Sequence, residues 1–221
     1  MKKKIALLFD LDGTLLDTLE DLCDAVNFTM REYNSPERTL EEVRRFLGHG
    51  AADLIAKSLE GGRDNPEYDA ALAYFRKFYA AHADIKTRPY DGVIDILKKL
   101  GALGVPCAVV SNKPDDATVS LCKKHFGSLI LESIGDRDGM PRKPAPDKVL
   151  KMIETLGCES AIYVGDSEAD VLTAKNACIP CICVTWGFRD REQMEAVGGK
   201  IFCNNACELE EEIMRLLEAN E

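Results

Sequence analysis

Two carboxylates near the amino terminus have a type and spacing suited to nucleophilic or acid–base chemistry. Asp10 and Asp12 follow the apolar run Ile5 to Phe9 and are separated by Leu11. If that run is a buried strand, both carboxylates reach one crevice while Leu11 turns into the core. Gly13 then permits a sharp turn of the chain. Either Asp alone would be an ordinary loop cap, so the pair carries the signal.

Polar and charged side chains also follow the later apolar runs of the chain. They are Ser111, Asn112 and Lys113 after the run Val105 to Val110, Lys143 ahead of Pro144, and Asp166 and Asp170 after the run Ala161 to Val164. Taken singly, such groups are usually turn residues, helix caps or solvated lysines. In a parallel sheet, however, ligands collect beyond the carboxyl ends of the strands. Their recurrence at strand-to-helix junctions therefore favours one shared site.

The elements that would position these residues alternate along the chain. Predicted strands are Ile5 to Phe9, Val105 to Val110, Leu129 to Ile134, Ala161 to Val164, Cys181 to Thr185 and, more weakly, Lys200 to Cys203. Predicted helices are Val93 to Leu103, Asp115 to His125, Pro146 to Leu156, Glu168 to Ala177, Arg191 to Val197 and Cys207 to Leu217. This alternation predicts an α/β fold, with a Rossmann-like parallel sheet and helices on both faces.

The stretch between the first two strands has a different pattern. It shows no convincing strand but several amphipathic helices, at Thr18 to Tyr33, Leu40 to Phe46, Ala51 to Leu59 and Pro66 to Ala83. We therefore predict a catalytic core of residues 1–15 and 86–221 and an inserted helical cap of residues 16–85.

Composition narrows the function classes. A formal net charge of -10 disfavours a nucleic-acid partner, because affinity for a phosphate backbone depends on clustered Lys and Arg. A phosphate site in such a protein must be made locally positive by a metal ion, oriented amides or a placed lysine. No apolar run is long enough to span a membrane, so we expect a cytoplasmic protein. We expect it to be either a monomer or a homodimer.

The nine cysteines do not suggest a disulfide framework, because they are scattered through apolar segments. Cys178, Cys181 and Cys183 are close enough in sequence to raise the possibility of a zinc site. They lack a paired CxxC or His motif, so packing as reduced thiols is the favoured interpretation.

Taken together, the motifs resemble those of the haloacid-dehalogenase-like hydrolase superfamily. The matching residues, in the right order, are Asp10 to Thr14, Ser111, Lys143 and Gly165 to Asp170. More closely, nearly the whole chain resembles the bacterial phosphoglycolate phosphatases. That likeness includes Gly48-His49-Gly50, Arg88 to Val93, Ser111 to Pro114, Arg142 to Pro146 and Val184 to Phe188.

The resemblance implies a magnesium-dependent phosphatase acting on a small phosphorylated metabolite such as 2-phosphoglycolate. Asp10 would be the nucleophile, Asp12 the general acid and base, and Lys143 a positive group that balances charge on the transferring phosphate. One Asp10 oxygen, the Asp12 backbone carbonyl and Asp166 would hold Mg2+, with Asp170 orienting its waters. The implied substrate-binding residues are Gly13, Thr14, His49, Ser111, Asn112 and Lys113.

Three other functions use related features. A phosphosugar mutase would employ the same nucleophile and the same acid/base Asp, so the motifs do not separate it from a hydrolase. A dehalogenase is less favoured, because it needs neither an acid at Asp12 nor a metal-binding acid at Asp166. A non-catalytic ligand-binding protein is disfavoured by the complete set of motifs.

Overall fold

A computed structural model of the protein describes residues 4–48 and 50–219, which form two compact units. The first unit comprises residues up to Leu16 together with Pro89–Glu221, and the second comprises Asp17–Arg88. The short strands β2 (Leu16–Asp17) and β3 (Arg88–Pro89) contain the residues at which the chain passes from one unit to the other.

The first unit is built on a six-stranded sheet in the order β5-β4-β1-β6-β7-β8, in which every neighbouring pair is parallel. Its strands are β1 (Ile5–Phe9), β4 (Cys107–Pro114), β5 (Glu132–Asp136), β6 (Ser160–Gly165), β7 (Cys181–Val184) and β8 (Ile201–Cys203). Its helices are α5 (Val93–Ala102), α6 (Asp115–Phe126), α7 (Asp147–Thr155), α8 (Glu168–Asn176), α9 (Arg191–Ala196) and α10 (Ala206–Glu218).

Alternation along β1 divides the core into two layers. Leu7 and Phe9 belong to the layer covered by α5, α6 and α10, whereas Ala6 and Leu8 belong to the layer covered by α7 and α8. Successive side chains of a strand point to opposite faces, so a strand buried on both faces is apolar throughout. The predicted parallel sheet with helices on both faces is confirmed.

The second unit contains four α-helices: α1 (Leu19–Glu32), α2 (Leu40–Phe46), α3 (Ala51–Ser58) and α4 (Tyr68–His82). Helix α2 starts with a capping box, in which the Thr39 hydroxyl accepts the Glu42 N–H and the Glu42 carboxylate accepts the Thr39 N–H. The buried Asp21 carboxylate of α1 accepts hydrogen bonds from the backbone N–H groups of residues 85, 86 and 87 and from the Thr87 hydroxyl. This one side chain thus ties the first helix of the unit to its last residues.

Element boundaries differ from the sequence-based expectations by a few residues. The largest differences are at β4, which continues through the expected loop to Pro114, and at β5, which begins at Glu132 rather than Leu129. Helix α6 begins at Asp115, as predicted, and α7 begins at Asp147, one residue after the predicted start at Pro146. None of the helices in residues 4–48 and 50–219 is long and apolar enough to span a membrane.

Candidate active site

The end of β1 presents the first carboxylate of the site. The Asp10 N–H donates to the carbonyl of Val164 on β6, and Asp10 Oδ1 accepts the N–H of Leu11 at 2.7 Å. Asp10 is 9% exposed, and burial raises its pKa to about 6, although the ammonium of Lys143 opposes the shift. A carboxyl group with this pKa is largely ionised at neutral pH, as a nucleophile must be.

Lys143 is the positive group of the site, and it contacts two carboxylates. Its Nζ lies 2.9 Å from Asp10 Oδ1 and 2.7 Å from Asp170 Oδ1, and it donates to the Tyr163 hydroxyl at 3.2 Å. Burial alone would lower the pKa of Lys143, but Asp10 and Asp170 raise it well above its ordinary value. Lys143 therefore stays protonated beside Asp10.

Asp166, after β6, lies against two glycines. A Cβ atom on either Gly13 or Gly187 would lie 2.3 Å from Asp166 Oδ2, so any side chain at either position would displace the carboxylate. The Thr14 hydroxyl donates to Oδ1 at 3.0 Å and the Phe188 N–H donates to Oδ2 at 2.8 Å. Burial, followed by the charges of Asp170 and Asp10, raises the pKa of Asp166 to about 8.

Asp170 completes the acidic cluster from the first turn of α8. Its Oδ2 accepts the Ser167 N–H at 3.0 Å and the Ser167 hydroxyl at 2.6 Å, while Oδ1 faces Lys143. Asp170 Oδ2 accepts two hydrogen bonds and Oδ1 is paired with the Lys143 ammonium, whereas each Asp166 oxygen accepts one of the hydrogen bonds above. Asp170 is therefore better placed to orient its neighbours than to bind a cation directly.

The three acids fit a divalent cation. Asp10, Asp166 and Asp170 each offer an oxygen, and these oxygens lie within 4.8 Å of one another. Burial, followed by the charges of neighbouring carboxylates, raises the pKa values of Asp10 and Asp166, and a bound cation would offset both effects. Gly13 and Gly187 keep side chains away from Asp166, and carboxylate and carbonyl oxygens are the donors that hard cations such as Mg2+ prefer.

The Asn112 side chain links two of the predicted motifs. Its amide NH2 donates to the Lys143 carbonyl at 3.1 Å, and its amide oxygen accepts the Lys143 N–H at 2.9 Å. Both ends of this side chain are thus bonded to the Lys143 backbone. The side-chain amide of Asn112 therefore holds the Lys143 segment in place.

Lys113, expected to bind phosphate, lies against the predicted acid/base residue instead. Its Nζ is 2.9 Å from Asp12 Oδ1 and 3.1 Å from Oδ2, and the Lys113 side chain is 2% exposed. The neighbouring Ser111 hydroxyl accepts the Lys113 N–H at 3.2 Å and keeps its own proton for another acceptor. Asp12 and Ser111 thus both lie beside Lys113.

Comparison with known proteins identifies the family of this chain. Residues 7–184 match the family model described as haloacid dehalogenase-like hydrolase. The chain belongs to this family. The predicted resemblance and the predicted enzyme class, a hydrolase like the phosphoglycolate phosphatases, are confirmed.

Several relatives of this haloacid dehalogenase-like hydrolase are phosphatases by name. Phosphoglycolate phosphatase 1 of Pseudomonas aeruginosa is 37% identical over 191 residues, covering 82% of this chain and 70% of the relative. The phosphoglycolate phosphatase of Thiobacillus denitrificans is 35% identical over 190 residues, covering 83% and 84%. A crystal structure from Lactobacillus delbrueckii subsp. bulgaricus, provisionally assigned as a phosphoglycolate phosphatase, superposes with a TM-score of 0.88 at 34% identity, covering 96% and 99%.

His49 lies outside the described residues, so its predicted contact with substrate stays a prediction. In the second unit, basic residues pair with acids on their own helices: Arg45 with Glu41 at 3.1 Å and Lys57 with Asp53 at 2.7 Å. Such pairs are typical of solvated helix faces.

Sequence reasoning missed three residues that shape the site of this hydrolase. Gly187 and Phe188 hold Asp166 from the segment after β7, and Tyr163 receives the Lys143 ammonium while donating to the Val110 carbonyl at 2.8 Å. Gly187 and Phe188 were noticed only as part of the family likeness. Gly187 could have been identified from the sequence as a glycine that follows a buried strand, because such glycines often permit another group to approach the backbone closely.

Proposed function

We propose that this haloacid dehalogenase-like hydrolase is a magnesium-dependent phosphatase of small phosphate monoesters, with 2-phosphoglycolate as its main substrate. The supporting observation is the buried contact of Lys143 with Asp10, beside Asp166 and Asp170. A nucleophile, a fixed positive charge and a cation-binding pair of acids are the groups that phosphoryl transfer to a carboxylate requires. The substrate is taken from the names of the relatives.

In the proposed reaction, one carboxylate oxygen of Asp10 attacks phosphorus in line while the bond to the leaving alkoxide breaks. Asp12 gives its proton to that alkoxide. Water then attacks phosphorus of the aspartyl-phosphate, Asp12 takes the water's proton, and inorganic phosphate leaves with Asp10 restored. Bound Mg2+, held by Asp10, Asp166 and the Asp12 carbonyl, supplies positive charge that offsets repulsion between carboxylate and phosphate.

The other groups would bind the phosphate oxygens. Lys143 and the Ser111 hydroxyl supply donors, and the backbone N–H of Asn112 adds a neutral one. The predicted phosphate contacts of Gly13 and Thr14 are not adopted, because their N–H groups donate to the carbonyls of Leu16 at 2.9 Å and Leu11 at 3.3 Å. Lys113 contacts both oxygens of Asp12. Proton transfer by Asp12 therefore requires one of these oxygens to turn from Lys113 toward the substrate.

The proposal is tested with initial rates against a panel of phosphate esters that includes 2-phosphoglycolate, glycolytic intermediates, nucleotides and hexose phosphates. We expect release of inorganic phosphate with Mg2+, the highest kcat/KM for 2-phosphoglycolate, and loss of activity with EDTA. A hexose phosphate returned as its isomer without phosphate release would instead indicate a mutase. A folded protein without turnover on any ester would indicate a binding protein.

A further inference from the structure

A third buried lysine, on α7, lies behind the residues that we propose bind phosphate. Lys148 is 0% exposed, whereas Leu150, two residues further along the same helix, is 51% exposed. Burying an ammonium group costs free energy, and helices normally bury the leucine and expose the lysine. This inverted pattern means that the Lys148 side chain is directed into the protein by its surroundings and not by its own hydrophobicity.

The partner of Lys148 is a backbone carbonyl of the site. Its Nζ donates to the carbonyl oxygen of Ser111 at 3.1 Å, the one hydrogen bond this ammonium makes within the described residues. Within that part of the chain no carboxylate pairs with it, since Asp136 pairs with Arg142 at 2.5 Å and Asp115 accepts the Gly135 N–H at 2.7 Å. Lys148 is therefore not half of a stabilising ion pair.

The bonded carbonyl belongs to the peptide group that joins Ser111 to Asn112. A cation on the oxygen of a peptide group polarises that group and makes its N–H a stronger donor. Here that N–H is the one of Asn112, whose side chain is already held by the Lys143 backbone. The segment carrying Ser111 and Asn112 is thus fixed from two directions, by the residues just before α7 and by α7 itself.

We propose that Lys148 is a positioning residue for the phosphate site, whose ammonium orients and polarises the Ser111–Asn112 peptide group. This inference rests on the proposed phosphatase function, because Ser111 and the Asn112 N–H are there assigned to phosphate. Lys148 does not touch the substrate. It acts through the peptide group, so its removal weakens phosphate binding without unfolding the protein.

Titration of Lys148 provides an independent signature. Burial lowers the pKa of Lys148 to about 8, with Lys143 and Arg142 acting in the same direction and Asp136 and Asp115 against it. These four groups come from the segment before α7, from β5 and from α6. The ammonium is charged at pH 7 and neutral at pH 9, so its polarising effect fades across that range.

The test uses the full-length, Mg2+-loaded protein as wild type, Lys148→Met and Lys148→Gln. Lys151→Met is the matched control, because Lys151 lies on the same helix, is exposed and pairs with Glu154. Calorimetry gives the Kd for inorganic phosphate, steady-state rates give KM and kcat for 2-phosphoglycolate, and thermal unfolding reports the fold. The ratio of variant to wild-type Kd is measured at pH 7 and pH 9. Titration of phosphate, and of groups common to the variant and the wild type, affects both Kd values and cancels in the ratio.

We expect Lys148→Met to weaken phosphate binding about tenfold at pH 7, the size of one charge-assisted hydrogen bond, with Tm unchanged or raised. The phosphate Kd of Lys148→Gln, whose side chain is a neutral donor, should lie between those of Lys148→Met and wild type. The ratio of variant to wild-type Kd should fall toward one at pH 9. Equal phosphate affinity in Lys148→Met, Lys148→Gln and the Lys151→Met control would overturn the inference and leave the phosphatase proposal intact. A wild-type protein that neither binds phosphate nor hydrolyses esters would overturn both.

Discussion

Two buried carboxylates of this protein, Asp21 and Asp166, have opposite surroundings. Asp21 is 3% exposed and accepts three backbone N–H groups and a hydroxyl, with no acidic side chain among its partners in the described residues. Asp166 is 2% exposed and has two donors, but Asp10 and Asp170 share its cluster. Burial alone therefore does not identify a functional acid. What distinguishes Asp166 is negative charge that the protein leaves incompletely balanced.

The comparison predicts that an acid of the cluster is needed for turnover and not for folding. Asp10→Asn should lower kcat by at least about a thousandfold, because an amide is not a nucleophile. Its Tm should be unchanged or higher, since one of three mutually repelling carboxylates is removed. Steady-state kinetics and thermal unfolding of the same preparation test both parts. Turnover near the wild-type level would remove the proposed mechanism.

Asp21 should behave in the opposite way. Asp21→Asn brings an NH2 group against N–H donors and should lower the free energy of unfolding by about 2–3 kcal/mol. Denaturant unfolding measures this change. Asp24→Asn is the control, because Asp24 lies on the same helix but is exposed, and loss of its contact with Lys86 should cost less than about 1 kcal/mol. Equal effects of the two substitutions would show that the Asp21 hydrogen bonds contribute little.

A divalent cation should remove the difference between the two carboxylates. If Mg2+ balances the cluster, a concentration of about 100 Kd should stabilise the protein by roughly 2.7 kcal/mol. That corresponds to a Tm increase on the order of 5 °C or more for a chain of this size. Asp166→Asn should lose most of this increase, whereas Asp21→Asn should keep it. Differential scanning fluorimetry with and without Mg2+ makes the comparison.

The smallest expected effect concerns Lys148 and alkaline pH. Its pKa is lowered from 10.5 to about 8 by burial, so between these values the unfolded chain binds more protons than the folded protein. The contribution of Lys148 to the free energy of unfolding therefore rises with pH across this window, and below pH 8 its burial is at its most costly. Subtracting the unfolding free energies of Lys148→Met from those of wild type at pH 8 and pH 10 isolates this slope. A difference that stays constant would contradict the shifted titration.

Much of the fold and of the cluster could be predicted because their signals are local in sequence. The apolar runs before Asp10, Ser111 and Asp166 predict buried parallel strands, and the topology then brings their ends together. Lys148 could not be predicted this way. A lysine within an amphipathic helix is normally solvated, and only the packing of α7 against β4 places its ammonium beside the Ser111 carbonyl.

The pairing of Lys113 with Asp12 was missed for a related reason. Asp12 was assigned to acid–base chemistry and Lys113 to substrate binding, whereas a contact between side chains 101 positions apart depends on the register of β1 and β4. The bonds of the Asn112 side chain to the Lys143 backbone were likewise not predicted, because they depend on the path of a loop. Residue types indicate which chemistry is available, and long-range geometry decides how each group is used.

The hydrogen bonds of Asp21 also bear on recombination between related enzymes. They join α1 to residues 85–87, so the two ends of the inserted helical segment depend on each other. A chimera that exchanges only residues between Asp21 and residue 85 keeps both partners of these hydrogen bonds from one parent, and so does a chimera that exchanges the whole segment 17–88. A single crossover between Asp21 and residue 85 takes the carboxylate from one parent and the amides from the other. Such hybrids should therefore be the least stable.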